Sequence, residues 1–193
     1  LRLFVAVELP AAAREALART AGAMRAAGIG DGLRWVRPEG IHITLKFLGA
    51  TPARQADEVA AALRRVAARG RPLQLQPGGL GSFGGRRSMR VVWLGIGGET
   101  DALAALAASV DEAVSPFGFE PERRPFAAHL TLARVREAAP PDERARLHAA
   151  LAAVETPAVA AFIAGHLSLM RSTLSPSGAR YEALATFRLG GPP

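Results

Sequence analysis

Cysteine is missing from all 193 residues, and with it go disulfides, thiol nucleophiles and cysteine-ligated metals. Lysine is almost missing too: Lys46 stands alone, so 23 of the 24 basic residues are arginine. No apolar run approaches the roughly 20 residues that a membrane-crossing helix needs. The apolar opening from Leu3 to Val7 is too short for a secretory leader, and the expectation is a cytoplasmic protein with no membrane contact. Acidic residues number only 17, which leaves a formal charge of +7. That imbalance favours a polyanionic partner such as nucleic acid, although it speaks to attraction and not to fold. Hydrophobic residues make up 49% of the chain, enough to bury a core as one domain or as two small lobes sharing an interface.

Two stretches carry the same pattern. Ile41-His42-Ile43-Thr44-Leu45-Lys46-Phe47-Leu48-Gly49 reads as a strand in which His42, Thr44 and Lys46 share one face and Ile41, Ile43, Leu45 and Phe47 the other. Residues 126–135 repeat it with His129-Leu130-Thr131-Leu132. Four histidines and eight threonines would give one His-x-Thr triplet by chance about a sixth of the time, but two that both continue with leucine well under ~1%. The pair is therefore the signal.

The surrounding order repeats as well. Residues 2–8 read as a strand, and Pro10 opens a helix to about Ala27. A loop with Gly28, Gly30, Asp31 and Gly32 leads to an extended 33–36. Thr51 caps a second helix that starts at Pro52 and stops at Gly70. Residues 73–76 alternate as a short strand, and the Gly-rich 77–87 reads as a mobile loop able to reach over a site. The pattern then restarts: a strand over 90–96, a helix capped by Thr100 running to about Val114, an irregular 115–125, the second His-x-Thr strand, and a helix opened by Pro140-Pro141. Residues 159–163, 167–171 and 181–189 supply closing strands, with Ser175-Pro176-Ser177-Gly178 as a turn.

Val5 precedes His42 by 37 residues and Trp93 precedes His129 by 36, which indicates an internal duplication. The expected fold is α+β and bilobal: one domain over 1–193, made of two intertwined lobes with repeat halves of approximately 1–88 and 89–193, each with an antiparallel sheet and flanking helices. A pseudo-twofold axis would set the two His-x-Thr strands face to face across a central cleft.

Chemistry gives such a pair a meaning. An imidazole with an ordinary pKa near 6.5 can be a neutral base while its twin is a protonated acid at the same pH. The couple suits in-line phosphoryl chemistry, one histidine taking a proton from the attacking oxygen and the other protonating the leaving oxygen, with no metal or other cofactor required. A threonine two residues along the same face can donate a hydrogen bond to a non-bridging oxygen. Lys46 lies on the face that would meet phosphate.

The paired motifs resemble those of the 2H phosphoesterase superfamily, and within it the bacterial RNA 2',3'-cyclic phosphodiesterases, also called 2'-5' RNA ligases. The likeness extends to Arg2-Leu3-Phe4-Val5-Ala6-Val7, Trp35-Val36, Val91-Val92-Trp93-Leu94-Gly95 and residues 174–181. The resemblance implies a basic cleft, hydrolysis of RNA 2',3'-cyclic phosphate ends to 2'-phosphates, His42 as proton donor to the leaving 3' oxygen, and His129 as acceptor from water. It also implies that Arg134 contacts phosphate, although strict alternation puts Arg134 opposite His129 unless the strand bulges. Alternatives are 2'-5' RNA ligation in repair, which is the reverse reaction of the same site, and a nucleotide- or RNA-binding module without chemistry. A monomer is expected. His148, His166, Ser172 and Tyr181 are secondary candidates, and Trp35, Trp93 and Phe47 are read as packing residues, with base stacking open to one of them.

Overall fold

Period-two alternation and helical runs of Ala, Leu and Val build a computed structural model that describes residues 1–26, 28–30, 32–155, 158–175 and 178–192. The chain forms β1 (Arg2–Glu8), α1 (Ala11–Ala26), β2 (Leu33–Trp35), β3 (His42–Ala50), α2 (Ala53–Arg69), β4 (Leu73–Phe83) and β5 (Val91–Gly98). It continues with α3 (Thr100–Val114), β6 (His129–Val135), α4 (Pro141–Ala152), β7 (Phe162–Ala164), β8 (His166–Ser175) and β9 (Gly178–Arg188). All these strands join one antiparallel sheet in the order β7-β4-β5-β6-β3-β1-β8-β9, with β2 added on β6.

The α+β fold with two related halves is as the repeat implies, but the halves meet differently from the expectation. The two His-x-Thr strands do not oppose each other across a gap; β3 and β6 lie side by side, joined where Ile43 pairs with Leu130. Outward from that seam run β3-β1-β8-β9 on one side and β6-β5-β4-β7 on the other. Strands cross between the chain halves, since β4 pairs with β5 and β8 pairs with β1. One offset of 87 residues relates the sides. Glu8 faces His42 as Gly95 faces His129, Ala6 faces Thr44 as Trp93 faces Thr131, and Phe4 faces Phe47 as Val91 faces Arg134. The equivalence of Val5 with Trp93 in the sequence is thus one residue out of step.

One face of the sheet is buried by helices. On α2, Val59, Ala62, Leu63 and Ala67 recur at helical spacing and are buried, as are Leu103, Leu106, Ala107, Val110 and Val114 on α3. They pack on Val5, Val7, Ile43 and Leu130 of the sheet, while Met24 of α1 and Leu147 and Leu151 of α4 cover Val92 and Ala133. Each Val, Leu, Ile or Met side chain among them contributes about 1.5–3 kcal/mol on burial.

Several local expectations change. Residues 77–83 are not a loop but the second half of β4, paired with β5 through Phe83–Val91 and bulged between Gly78 and Leu80, where Gly79 takes φ 73°. Pro77 is tolerated because β7 pairs only with residues 73–75, so its missing N–H faces no partner strand. Neither helix cap uses its threonine: Pro52 is the N-cap of α2 and Glu99 that of α3, and the Thr51 hydroxyl donates back to the Gly49 carbonyl. The β8–β9 register runs to Ser175–Gly178; Asp31, Pro176 and Ser177, named in the predicted loop and turn, lie outside the described residues, as does Ala27.

Candidate active site

The antiparallel pairing of Ile43 with Leu130 sets His42 across from Thr131 and Thr44 across from His129. Both motifs alternate in phase, with histidine and threonine half-exposed and the residue between them buried. Four polar side chains therefore form a two-by-two array on the open face of the sheet. Diagonal neighbours in such a pair of strands stand about 7–8 Å apart, somewhat less at the Cβ atoms, room for one phosphate between the imidazoles.

Backbone carbonyls fix both rings in the same way. The Nδ1 of His42 lies 2.8 Å from the Gly40 carbonyl oxygen, and the Nδ1 of His129 lies 2.7 Å from that of Ala127. A carbonyl only accepts, so each Nδ1 carries a hydrogen and donates it. Each Nε2 is left to gain or lose the working proton. Gly40 ends a short 3-10 turn, Pro38–Gly40, that aims its carbonyl at the ring.

Aromatic residues wall both imidazoles. Phe4 stacks on His42 with ring centroids 4.7 Å apart, and Tyr181 meets it edge-on at 5.0 Å. Phe83 meets His129 edge-on at 4.8 Å, backed by Trp93. The Trp93 indole lies over Gly81, where an added Cβ would sit 2.3 Å from the ring. Burial lowers the His42 pKa from 6.5 to about 4. The hydrogen bond to Gly40 and the charge of Glu8 oppose that shift, whereas His129 and Arg134 add to it.

Matching bulges then sort the basic residues. Between Val5 and Ala6 the β1–β3 register slips, and between Val92 and Trp93 the β5–β6 register slips at the equivalent place. Leu45 and Leu132 are the extra residues, so parity inverts after each. Arg134 thereby comes to the histidine face and is exposed, which removes the objection that alternation raised. Lys46 goes the other way. It is 7% exposed, forms an ion pair with Asp111 of α3 and donates to the Glu120 carbonyl. The expectation that Lys46 meets substrate fails because of that bulge. Phe47 takes its place on the open face, 70% exposed beside Phe4, and is not a packing residue.

Of the secondary candidates, Tyr181 joins the site through its contact with His42, and Ser172 lies opposite it in the β8–β9 register. His148 borders a separate shallow depression with Leu80 and Ser82 on the far lobe, and His166 is exposed at the start of β8. Among the described residues, no three His, Asp or Glu side chains are grouped to hold a metal ion. No helix among them is long and apolar enough to cross a membrane. Sequence reasoning missed Phe4, Phe83 and Glu8. Phe4 and Glu8 share a strand face with Ala6, but only the pairing of β1 with β3 brings that face to His42.

Comparison with known proteins agrees with the geometry. The family model described as LigT-like phosphoesterase matches twice, over residues 7–93 and 95–181. An RNA 2',3'-cyclic phosphodiesterase of Geobacillus stearothermophilus is 35% identical over 98% of this chain, which spans 58% of that protein's length. A protein of the same name from Methanothermobacter thermautotrophicus is 32% identical over 97% of this chain and 98% of its own. The crystal structure of Escherichia coli LigT complexed with 3'-AMP superposes with a TM-score of 0.73 at 26% identity, covering 97% of both chains.

Proposed function

Because this chain belongs to the LigT-like phosphoesterase family, we propose that it hydrolyses RNA ends carrying a 2',3'-cyclic phosphate and leaves a 2'-phosphate. The observation that carries the reading is the matched pair of imidazoles, each with Nδ1 tied to the carbonyl two residues back and Nε2 free. Support comes from the names of the two relatives and from 3'-AMP in the E. coli protein. The +7 charge suits an anionic substrate.

The phosphate sits between the histidines, with the Thr44 and Thr131 hydroxyls and the Arg134 guanidinium donating to its non-bridging oxygens. The Nε2 of His129 takes a proton from water as the water oxygen bonds to phosphorus. The P–O3' bond breaks, and the Nε2 of His42 gives its proton to O3'. His129 ends protonated and His42 neutral, and exchange with solvent restores both. Neither transfer uses a metal. With its pKa lowered to about 4 by burial, the His42 ring by itself favours the neutral form at pH 7. Its donor role requires the substrate's negative charge to raise that pKa on binding.

His42→Ala and His129→Ala should each lower kcat by roughly 10²–10⁴, the range for a lost general acid or base, on an oligonucleotide with a 2',3'-cyclic phosphate end. Wild-type rates in either variant would overturn the two-histidine mechanism. Binding of the oligonucleotide by the wild-type protein without turnover would instead mark a binding module.

A further inference from the structure

The fold's twofold relation makes the histidines equivalent in backbone placement, and among the residues that break the equivalence one carries a negative charge. Glu8 ends β1 directly across from His42, while the equivalent position beside His129 is Gly95, with no side chain at all. Glu8 is also held. The hydroxyl of Ser168, wholly buried on β8, donates to Glu8 Oε2 at 2.7 Å, and Thr186 of β9 lies 3.1 Å from the same hydroxyl. Ser168 is one of only three buried polar or charged residues among those described. A buried hydroxyl needs a partner, and this one spends its hydrogen on the carboxylate next to an active-site imidazole.

We propose that Glu8 is a positioning residue that makes the histidine pair directional: its carboxylate, fixed by Ser168, draws the working proton to His42 and so gives that histidine the donor role. The inference rests on the cyclic-phosphate reading above and deepens it. The charged or titratable groups around His42 are Glu8 on β1, His129 and Arg134 on β6, and the Tyr181 phenol on β9. His129 and Arg134 disfavour a second positive charge there, and Glu8 is the anion that opposes them. Lys46, on the strand of His42 itself, is turned away to Asp111. With substrate bound, the phosphate's charge is shared by both imidazoles. Glu8 is not: it favours the protonated ring at His42, against the burial and the His129 and Arg134 charges that disfavour it.

The test is the pH dependence of kcat in wild type, Glu8→Gln and Ser168→Ala, with circular dichroism to verify folding of each. Glu8→Gln keeps shape and removes charge. It should move the alkaline limb, which reports the donor, to lower pH by at least about half a unit and leave the acid limb in place. Ser168→Ala should move the same limb in the same direction by less. The imidazole resonances provide a readout apart from turnover: with inorganic phosphate bound, Glu8→Gln should lower the titration midpoint of His42 and not that of His129. Profiles that superimpose in wild type and Glu8→Gln, or a shift confined to the acid limb, would overturn the proposal. A wild type that does not open a 2',3'-cyclic phosphate would sink the cyclic-phosphate reading instead, and a fully active His42→Ala the two-histidine mechanism, so the failures are distinguishable.

Discussion

At the scale of single residues, the histidine proposed as proton donor also bears on stability. Its pKa falls from 6.5 to about 4 on folding because its ring is packed among aromatics. The neutral form is therefore the one that the fold favours. The stabilisation is fully present above pH 6.5 and is lost as pH drops through about 4. A shift of that size corresponds to an order of 3 kcal/mol. Urea unfolding at pH 7 and pH 4.5 should show wild type losing more stability than His42→Gln over that interval; equal losses would contradict the burial argument. Arg134 makes a different kind of contribution. Arg134→Ala should raise KM and lower kcat/KM by about 10- to 100-fold, the worth of a charge-assisted bond to phosphate, with an unchanged unfolding midpoint. The two histidines and two threonines were legible in the sequence because spacing along one strand is a local property. Glu8 was not, because its place beside His42 comes from the pairing of β1 with β3, across 34 residues of chain that contain a helix.

Among the elements, the bulges matter most. Alternation alone puts Lys46 on the histidine face and Arg134 off it, and the extra residues Leu45 and Leu132 reverse both. No composition rule marks Leu45 or Leu132 as a bulge, so this inversion was hidden in a sequence whose motifs were plain. The buried Lys46 instead ties β3 to Asp111, whose carboxylate also accepts from the Glu122 backbone N–H. That cluster pins the irregular segment that delivers His129 to its strand. Lys46→Met should cost about 2–3 kcal/mol, somewhat under the usual loss for a broken buried pair because Asp111 keeps some solvent contact. It should leave the catalytic pH profile in place; a large fall in kcat without loss of stability would return Lys46 to the site. Gly81 is the corresponding constraint on the other lobe. Gly81→Ala must displace the Trp93 indole and, through Phe83, disturb His129, which tryptophan fluorescence and kcat would both register. Residues 77–83 looked like a loop because Pro and Gly usually end strands, yet an edge position and a bulge accommodate them.

For the whole molecule, duplication explains how a single sheet comes to hold two matched histidines on one face. The repeat was visible as matched spacings, and so was the α+β class. How the halves join was not, since the seam at Ile43 and Leu130 is one short pairing between strands far apart in sequence. Placing the motifs side by side rather than opposed puts both Nε2 atoms on one open face, where the end of a long anionic polymer can enter without threading. The central claim is that these two imidazoles carry both proton transfers of ring opening, in one direction and without a metal. It is tested most directly by incubating an RNA oligonucleotide bearing a 2',3'-cyclic phosphate with the protein in excess chelator and identifying the end formed. The account predicts full conversion to a 2'-phosphate at an undiminished rate. A 3'-phosphate product, or activity abolished by the chelator and restored by a divalent metal, would contradict it.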